Sequence, residues 1–215
     1  MQIAFAARTG PLARIATTDA VLVLSASDRA LFRDVAVVRL VSQDLIERFH
    51  YAHRSGGASR RLARLEEAGI LEARPLHAVG RKPVRVYQFA TRAIAAAWGD
   101  PSVPTVAQCR MLHEILTARA YFALGRPLGF RIATRLNEAE RFLFESHCPD
   151  AVYPDRAGGQ IVLVEADSGQ YTARQIREKT RYWCSVGFAR QIWVQPAGIR
   201  TAPVPESAGI TLLRL

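Results

Sequence analysis

Asp150, Glu165, Asp167 and Lys179 fall within the single stretch PDAVYPDRAGGQIVLVEADSGQYTARQIREKTRYW. Carboxylates that converge repel one another unless a hard divalent cation binds between them. Mg²⁺ takes carboxylate oxygens and leaves positions for water or phosphate, and Mn²⁺ accepts the same donors. The expected chemistry is cation-assisted attack on a phosphodiester, with Asp150, Glu165 and Asp167 as metal ligands and Lys179 stabilising negative charge in the transition state. The alternative reading is that acidic strand ends simply meet solvent and Asp150 caps a turn. Tyr171 and Tyr182 offer a second route, because a Tyr hydroxyl can attack phosphorus and form a covalent intermediate. Tyr182 lies three residues after Lys179 and reads more readily as an aromatic packed on the sheet. His113, followed by Glu114, is a candidate general base or a satisfied structural histidine.

The elements that must position these residues are legible. DAVYP and QIVLVEA read as strands around DRAGG, whose glycines suit a tight turn. Antiparallel pairing through that turn brings Asp150 beside Glu165, and the spacing of two puts Glu165 and Asp167 on one sheet face. Thr172 caps the helix ARQIREKTRYWCSV, which turns Ile176, Thr180 and Trp183 toward the sheet. QIWVQP is a buried strand. Upstream, VAQCRMLHEILTARAYFAL reads as one long helix with Val106, Cys109, Leu112, Leu116 and Phe122 apolar, and NEAERFLFES as a second helix. The order predicts an α/β sandwich with a mixed sheet over residues 106–215. No glycine-rich loop follows a strand as a nucleotide site requires.

GDPSVPT, residues 99–105, reads as a linker between two patterned regions. Before it, residues 25–98 carry a different order. Ser27 is read as the cap of DRALFRDVAVVRL, with Leu31, Val35 and Val38 inward, and Ser42 as the cap of SQDLIERFHY. Ser59 is read as the cap of ASRRLARLEEAGIL, with Leu62, Leu65 and Ala68 inward and Gly69 as the left-handed stop. ILEARPL and VRVYQFA then read as a hairpin around HAVGRKP, and Thr91 caps RAIAAAW. Three short helices and a basic hairpin are the order of a winged helix, whose third helix enters the major groove. On that reading Arg60, Arg61 and Arg64 face solvent and meet phosphate, and Arg81 and Lys82 at the hairpin tip touch the backbone or minor groove. The alternative is a winged helix used for protein contacts. Residues 1–24 form an extension with no role read.

The chain has 215 residues and a formal net charge of +10, which favours a polyanionic partner, nucleic acid above all. Its apolar fraction of 49% excludes a disordered chain. Three separated cysteines, Cys109, Cys148 and Cys184, show no metal-binding spacing and are expected as small core residues of a cytoplasmic protein. Neither a secretory signal nor a membrane span is read.

Together, PDAVY, IVLVEADSG and REKTRYW resemble the plasmid replication-relaxation family. Its pattern runs through PD, a strand ending Glu-x-Asp-x-Gly, and a helix with Lys then Tyr. Pro149, Asp150, Glu165, Asp167, Gly169, Lys179 and Tyr182 match it, and LHEIL resembles the family's helix with a His, here His113. The resemblance covers most of residues 28–195. It implies a two-domain α+β / α/β protein, a winged helix followed by a restriction-endonuclease-like domain of the PD-(D/E)xK kind. It also implies double-stranded DNA as partner, plasmid or integrative-element mobilisation as the setting, and an atypical relaxase as the activity. Other mobilisation proteins and a second copy of the chain are its further expected partners. One departure stands out: the nuclease pattern has Lys two residues after the strand Glu, and this chain has Asp167, so Lys179 would have to substitute from the helix. Two functions follow as expectations, a metal-dependent nicking enzyme and a non-catalytic DNA-binding accessory protein or regulator. An RNA-processing nuclease is a third, which the duplex-reading module disfavours.

Overall fold

The computed structural model describes residues 14–16, 21–52, 57–77, 83–99, 106–155 and 159–215. The chain divides into two units, 1–108 and 109–215.

In the first unit a short antiparallel pair, β1 (Arg14–Ala16) and β2 (Val21–Val23), precedes α1 (Ala26–Val38). Ser25, not Ser27, caps α1: its hydroxyl accepts from the Asp28 N–H, and the Asp28 carboxylate returns the bond to the Ser25 N–H. This reciprocal box satisfies donors that a helix start otherwise leaves open. Then follow β3 (Val41–Ser42), α2 (Gln43–His50), α3 (Gly57–Glu67), β4 (Leu71–Leu76), β5 (Val84–Phe89) and α4 (Arg92–Ala97). The strands form an antiparallel sheet ordered β3-β5-β4. Leu31, Phe32, Val35, Ile46, Leu62, Leu65, Ile70, Tyr87 and Phe89 fill the core. Ser42 occupies the cap position of α2 without a side-chain bond, and Ser59 lies inside α3 rather than at its start. Gly69 closes α3 at φ +64°, where Ile70 N–H reaches Leu65 O at 2.9 Å. That is the left-handed stop expected of a glycine. Thr91 caps α4 by accepting from Ile94 N–H.

Of the three α3 arginines expected to face solvent, one does not. Arg61 turns inward and holds Asp28, 0% exposed, through Nε at 3.0 Å and Nη2 at 2.6 Å, with a further bond to Val23 O. A buried carboxylate needs a paired cation, and Arg61 supplies a two-pronged one. Burial raises the Asp28 pKa, but Arg61, Tyr51 and Ser25 outweigh it and leave the carboxyl below its ordinary value. Arg60 and Arg64 are exposed on α3. Arg81 and Lys82 lie outside the described residues.

Val106 belongs to this first unit, not to a long helix. Its N–H donates to the buried Gln88 side chain at 3.2 Å, and its carbonyl accepts from Arg74. A 3-10 turn at Gln108–Arg110 runs across the boundary into the second unit and leads into α5 (Met111–Ala123). After α5 come β6 (Arg131–Ile132), α6 (Glu138–Phe144), β7 (Ala151–Pro154), β8 (Ile161–Ala166), α7 (Ala173–Ser185), β9 (Gln191–Gln195) and β10 (Ile210–Arg214). The five strands form one mixed sheet ordered β10-β9-β8-β7-β6. β8-β9 and β9-β10 are parallel, and the pairs on either side of β7 are antiparallel. The whole is a mixed α+β fold. Asn137 and Thr172 close capping boxes at the starts of α6 and α7.

Leu163, Trp193 and Val152 pack with Ile176 and Trp183 of α7 in one core. Val162, Val164 and Ala166 alternate to the other sheet face and are also buried. That leaves α5, the other helix against β8 and β9, to cover them. The cysteines depart from expectation. Cys109 and Cys184 are exposed and Cys148 is half-buried, all as free thiols. Among the described residues, no helix is long and apolar enough to cross a membrane.

Candidate active site

The β7–β8 hairpin sets the site. Ala151 lies opposite Val164, so the residue before β7 meets the residue after Val164, and Asp150 faces Glu165. Asp150 N–H bonds Val164 O at 3.0 Å, and Asp150 O accepts from Ala133 N–H at 2.7 Å, which fixes its backbone from both sides. Its side chain is fixed as well. Oδ2 accepts from Ala166 N–H at 2.7 Å, and Oδ1 lies 2.6 Å from His113 Nε2 on α5.

Glu165 is fully buried. Its Oε1 takes both the Lys179 ammonium and the Tyr171 hydroxyl, the latter at 2.6 Å, while Oε2 has no hydrogen-bond partner. Lys179 reaches in from the second turn of α7. Its Nζ lies over the rings of Tyr171 and Trp183, at 5.5 and 5.2 Å, which stabilises a cation in an apolar setting. Burial, and then the Asp150 charge, push the Glu165 carboxyl up to about 7, although Lys179 and Tyr171 pull the other way. The Tyr171 hydroxyl is also raised, by burial and by the Glu165 carboxylate. Burial lowers His113, but the Asp150 hydrogen bond and charge, with Glu165 and Glu114 beyond, raise it overall. His113, Asp150, Tyr171 and Lys179 line a cleft of about 420 Å³, with Arg110 and Cys148 at its wall.

Two expected members make other contacts. Asp167 shares the sheet face of Glu165, yet both its oxygens are committed. Oδ1 accepts from the Gly169 and Tyr171 N–H groups at 2.8 and 3.3 Å, and Oδ2 accepts from the Gln195 amide at 3.0 Å. Asp167 is buried and builds the turn that leads into α7. Among the described residues, no three His, Cys, Asp or Glu side chains form a group able to hold a metal ion by themselves. Tyr182 points away from Lys179: its hydroxyl donates to Leu143 O at 3.1 Å, and its ring stacks on His147 at 4.5 Å. Adjacent turns of a helix put neighbours on one side only when their side chains lean the same way, and here α7 buries Lys179 while Tyr182 sits at its flank.

Gln195 and the Ala166 amide were not anticipated as partners of the acids. The signal for Gln195 was present: a Gln at each end of the apolar strand QIWVQ, both buried, needs partners inside the fold. The amide carries no side-chain signal at all. Compared with models of known protein families, with curated proteins and with solved structures, the chain matches none.

Proposed function

We propose that this chain handles DNA, binding duplex through its first unit and breaking a phosphodiester bond in the cleft of its second. The observation that carries the reading is the meeting of Asp150 with a fully buried Glu165 that holds Lys179 on one oxygen and nothing on the other. A buried carboxylate oxygen without a partner is costly, and a cation is the natural one. The donor set fits Mg²⁺ or Mn²⁺, which needs only one or two protein carboxylates when water and substrate phosphate complete the shell. Asp150 and Glu165 would hold it, because each Asp150 oxygen keeps a second lone pair beyond its hydrogen bond. When bound, such a cation polarises the phosphodiester and offsets the charge of the transition state.

The chain's own groups supply the rest. Lys179 sets positive charge at the cleft wall, and the Ala166 amide and His113 hold the Asp150 carboxylate in one orientation. His113, 33% exposed on its side chain, is placed to move a proton between Asp150 and a group in the cleft. In this reading the second unit is a restriction-endonuclease-like domain in which α7, instead of the strand, provides the Lys. The first unit is a winged helix, supported by the order of three helices then a hairpin, with Arg60 and Arg64 meeting phosphate. The net charge of +10 supports the same partner. Nicking during plasmid or integrative-element mobilisation is the biological setting that the sequence resemblance suggests.

Supercoiled plasmid carrying an origin of transfer should become open circular with Mg²⁺ or Mn²⁺, and Glu165→Gln should abolish this. Calorimetric titration of Mn²⁺ into the protein alone should show binding that Glu165→Gln removes. One observation favours a second reading, a non-catalytic DNA-binding accessory protein: Lys179 and Tyr171 already satisfy Glu165 Oε1, and Asp167 is spent on a turn. Duplex binding with neither nicking nor Mn²⁺ binding would decide for it.

A further inference from the structure

Two hollows adjoin at the site, and their linings differ in charge. The cleft of about 420 Å³ carries Asp150, Lys179, Arg110 and Glu114. His113 and Tyr171 line it too, and both also line a second hollow of about 240 Å³. The other walls of that second hollow are Ala166, Ser168, Gln170 and Gln175, with no carboxylate, ammonium or guanidinium among them. A phosphate with its cation belongs in the first. The second suits a neutral group that offers hydrogen-bond donors and acceptors.

The two amides are arranged for such a group. Gln175 Oε1 accepts from the Thr172 N–H at 2.8 Å and from the Thr172 hydroxyl at 2.9 Å, in the box that opens α7. That settles which end of the amide is which and leaves its NH2 as the end able to donate. Gln170 lies in the turn before α7, between Gly169 and Tyr171, whose N–H groups are both held by Asp167 Oδ1. Its backbone is thereby fixed, while its exposed side-chain amide bonds no other described residue.

We propose that the second hollow is a base-reading subsite, which takes the base next to the scissile phosphate and favours adenine. The inference rests on the phosphodiester-cleaving reading above and goes beyond it by giving the second unit a choice of sequence. A nucleotide places a planar, neutral heterocycle beside its phosphate, which matches a neutral hollow beside a charged cleft. An amide pairs bidentately with adenine, accepting from N6 and donating to N7. Gln170 supplies that pair, and the Gln175 NH2 donates to a further ring nitrogen. The hollow is too small for a base pair, so the base it takes is unpaired, as in enzymes that turn a base out of the stack to read it.

The test titrates the full-length, isotope-labelled protein in Mg²⁺ with inorganic phosphate and with each of the deoxynucleoside monophosphates, followed by NMR. Phosphate alone should shift the backbone signals of Asp150 and His113, and not the side-chain NH2 signals of Gln170 and Gln175. Deoxyadenosine monophosphate should shift both sets and bind roughly 10-fold more tightly than the thymidine, deoxycytidine or deoxyguanosine counterparts. Gln170→Leu should erase that preference while phosphate affinity and thermal unfolding stay near wild type. Equal affinity for all the nucleotides, or an adenine preference that survives in Gln170→Leu, would overturn the subsite and leave phosphodiester cleavage standing. If neither phosphate nor any nucleotide moves the cleft signals, the cleavage reading falls, and the subsite with it.

Discussion

Replacing Lys179 by Met would remove the cation beside Glu165 while keeping much of the buried stem. Lys179 is 8% exposed and Glu165 0%, so the carboxylate would be left charged in an apolar site. Removing one partner of a buried pair costs roughly 3–5 kcal/mol. The protein has a cheaper response, which is to protonate Glu165. Its pKa already stands at about 7 in the presence of Lys179, above its ordinary value of 4.5, and loss of the ammonium must raise it further. The folded state then binds the proton more tightly than the unfolded state does. Stability therefore falls as pH rises from the unfolded pKa to the folded one, and levels off above it. In the wild type the fall ends near the folded value of about 7; in the variant it continues. The deficit of Lys179→Met relative to wild type should grow by about 1.4 kcal/mol per pH unit above neutrality, until the variant's own pKa or the cost of the isolated charge caps it. Urea unfolding at several pH values between about 6 and 9 measures this, the range being chosen to bracket the ordinary His to Cys window. A Trp98→Phe background leaves Trp183 and Trp193, both fully buried, as reporters of the second unit. Adding Glu165→Gln to Lys179→Met should restore most of the loss at the alkaline end. A deficit that does not change with pH, or a double variant no more stable than the single one, would refute the reasoning.

Four further outcomes are expected. The His113 imidazole should titrate above its ordinary value, and Asp150→Asn should lower its midpoint by NMR; with the folded pKa raised, the stability that this pair contributes is present below the unfolded pKa and is lost as pH climbs through the folded one. Arg60→Ala with Arg64→Ala should weaken duplex binding and reduce the salt slope by roughly 0.9 per lost phosphate contact. Arg61→Ala should instead destabilise the first unit by roughly 3–5 kcal/mol, because it strands the buried Asp28. Asp167→Ala should cost roughly 1–3 kcal/mol for each of its stranded donors and leave Mn²⁺ binding measurable, whereas a ligand role for Asp167 predicts complete loss of binding.

The sequence was most informative where one periodicity dominated. The β7–β8 hairpin, the α7 stripe of Ile176, Thr180 and Trp183, and the core face of α3 could all be read from apolar spacing, because each element buries one continuous stripe. Boundaries were less legible. Val106 and Cys109 extend the apolar pattern of α5, but Gln88 and Arg74 capture Val106 through long-range bonds that no local pattern encodes. Strand β10 went unread because an edge strand with exposed Thr211 and Leu212 carries little alternation. Within the site, the pairing of Asp150, Glu165 and Lys179 followed from hairpin and helix spacing. The fates of Arg61 and Asp167 did not, because spacing says which way a side chain leaves the backbone and not what it finds there.

Asp167 shows how that difference matters to the chemistry. It stands one residue past the end of β8, where its own N–H still bonds Val194 O at 2.8 Å, so its side chain keeps the face of Glu165. The chain must then reverse to start α7, and it does so through Gly169 at φ +95°, a conformation glycine adopts without steric cost. Asp167 Oδ1 accepts from both Gly169 and Tyr171 inside that reversal, as an aspartate does when it closes a turn onto its own backbone. The result is that Tyr171 is carried back over the strand end and its hydroxyl reaches Glu165. A carboxylate expected to bind a cation thus acts one step removed, by placing a phenol on the carboxylate beside it. Asp167→Asn, which can still present one oxygen to the turn, should therefore retain far more of the proposed nicking than Asp167→Ala, whereas a ligand whose charge is what matters would lose as much in either variant.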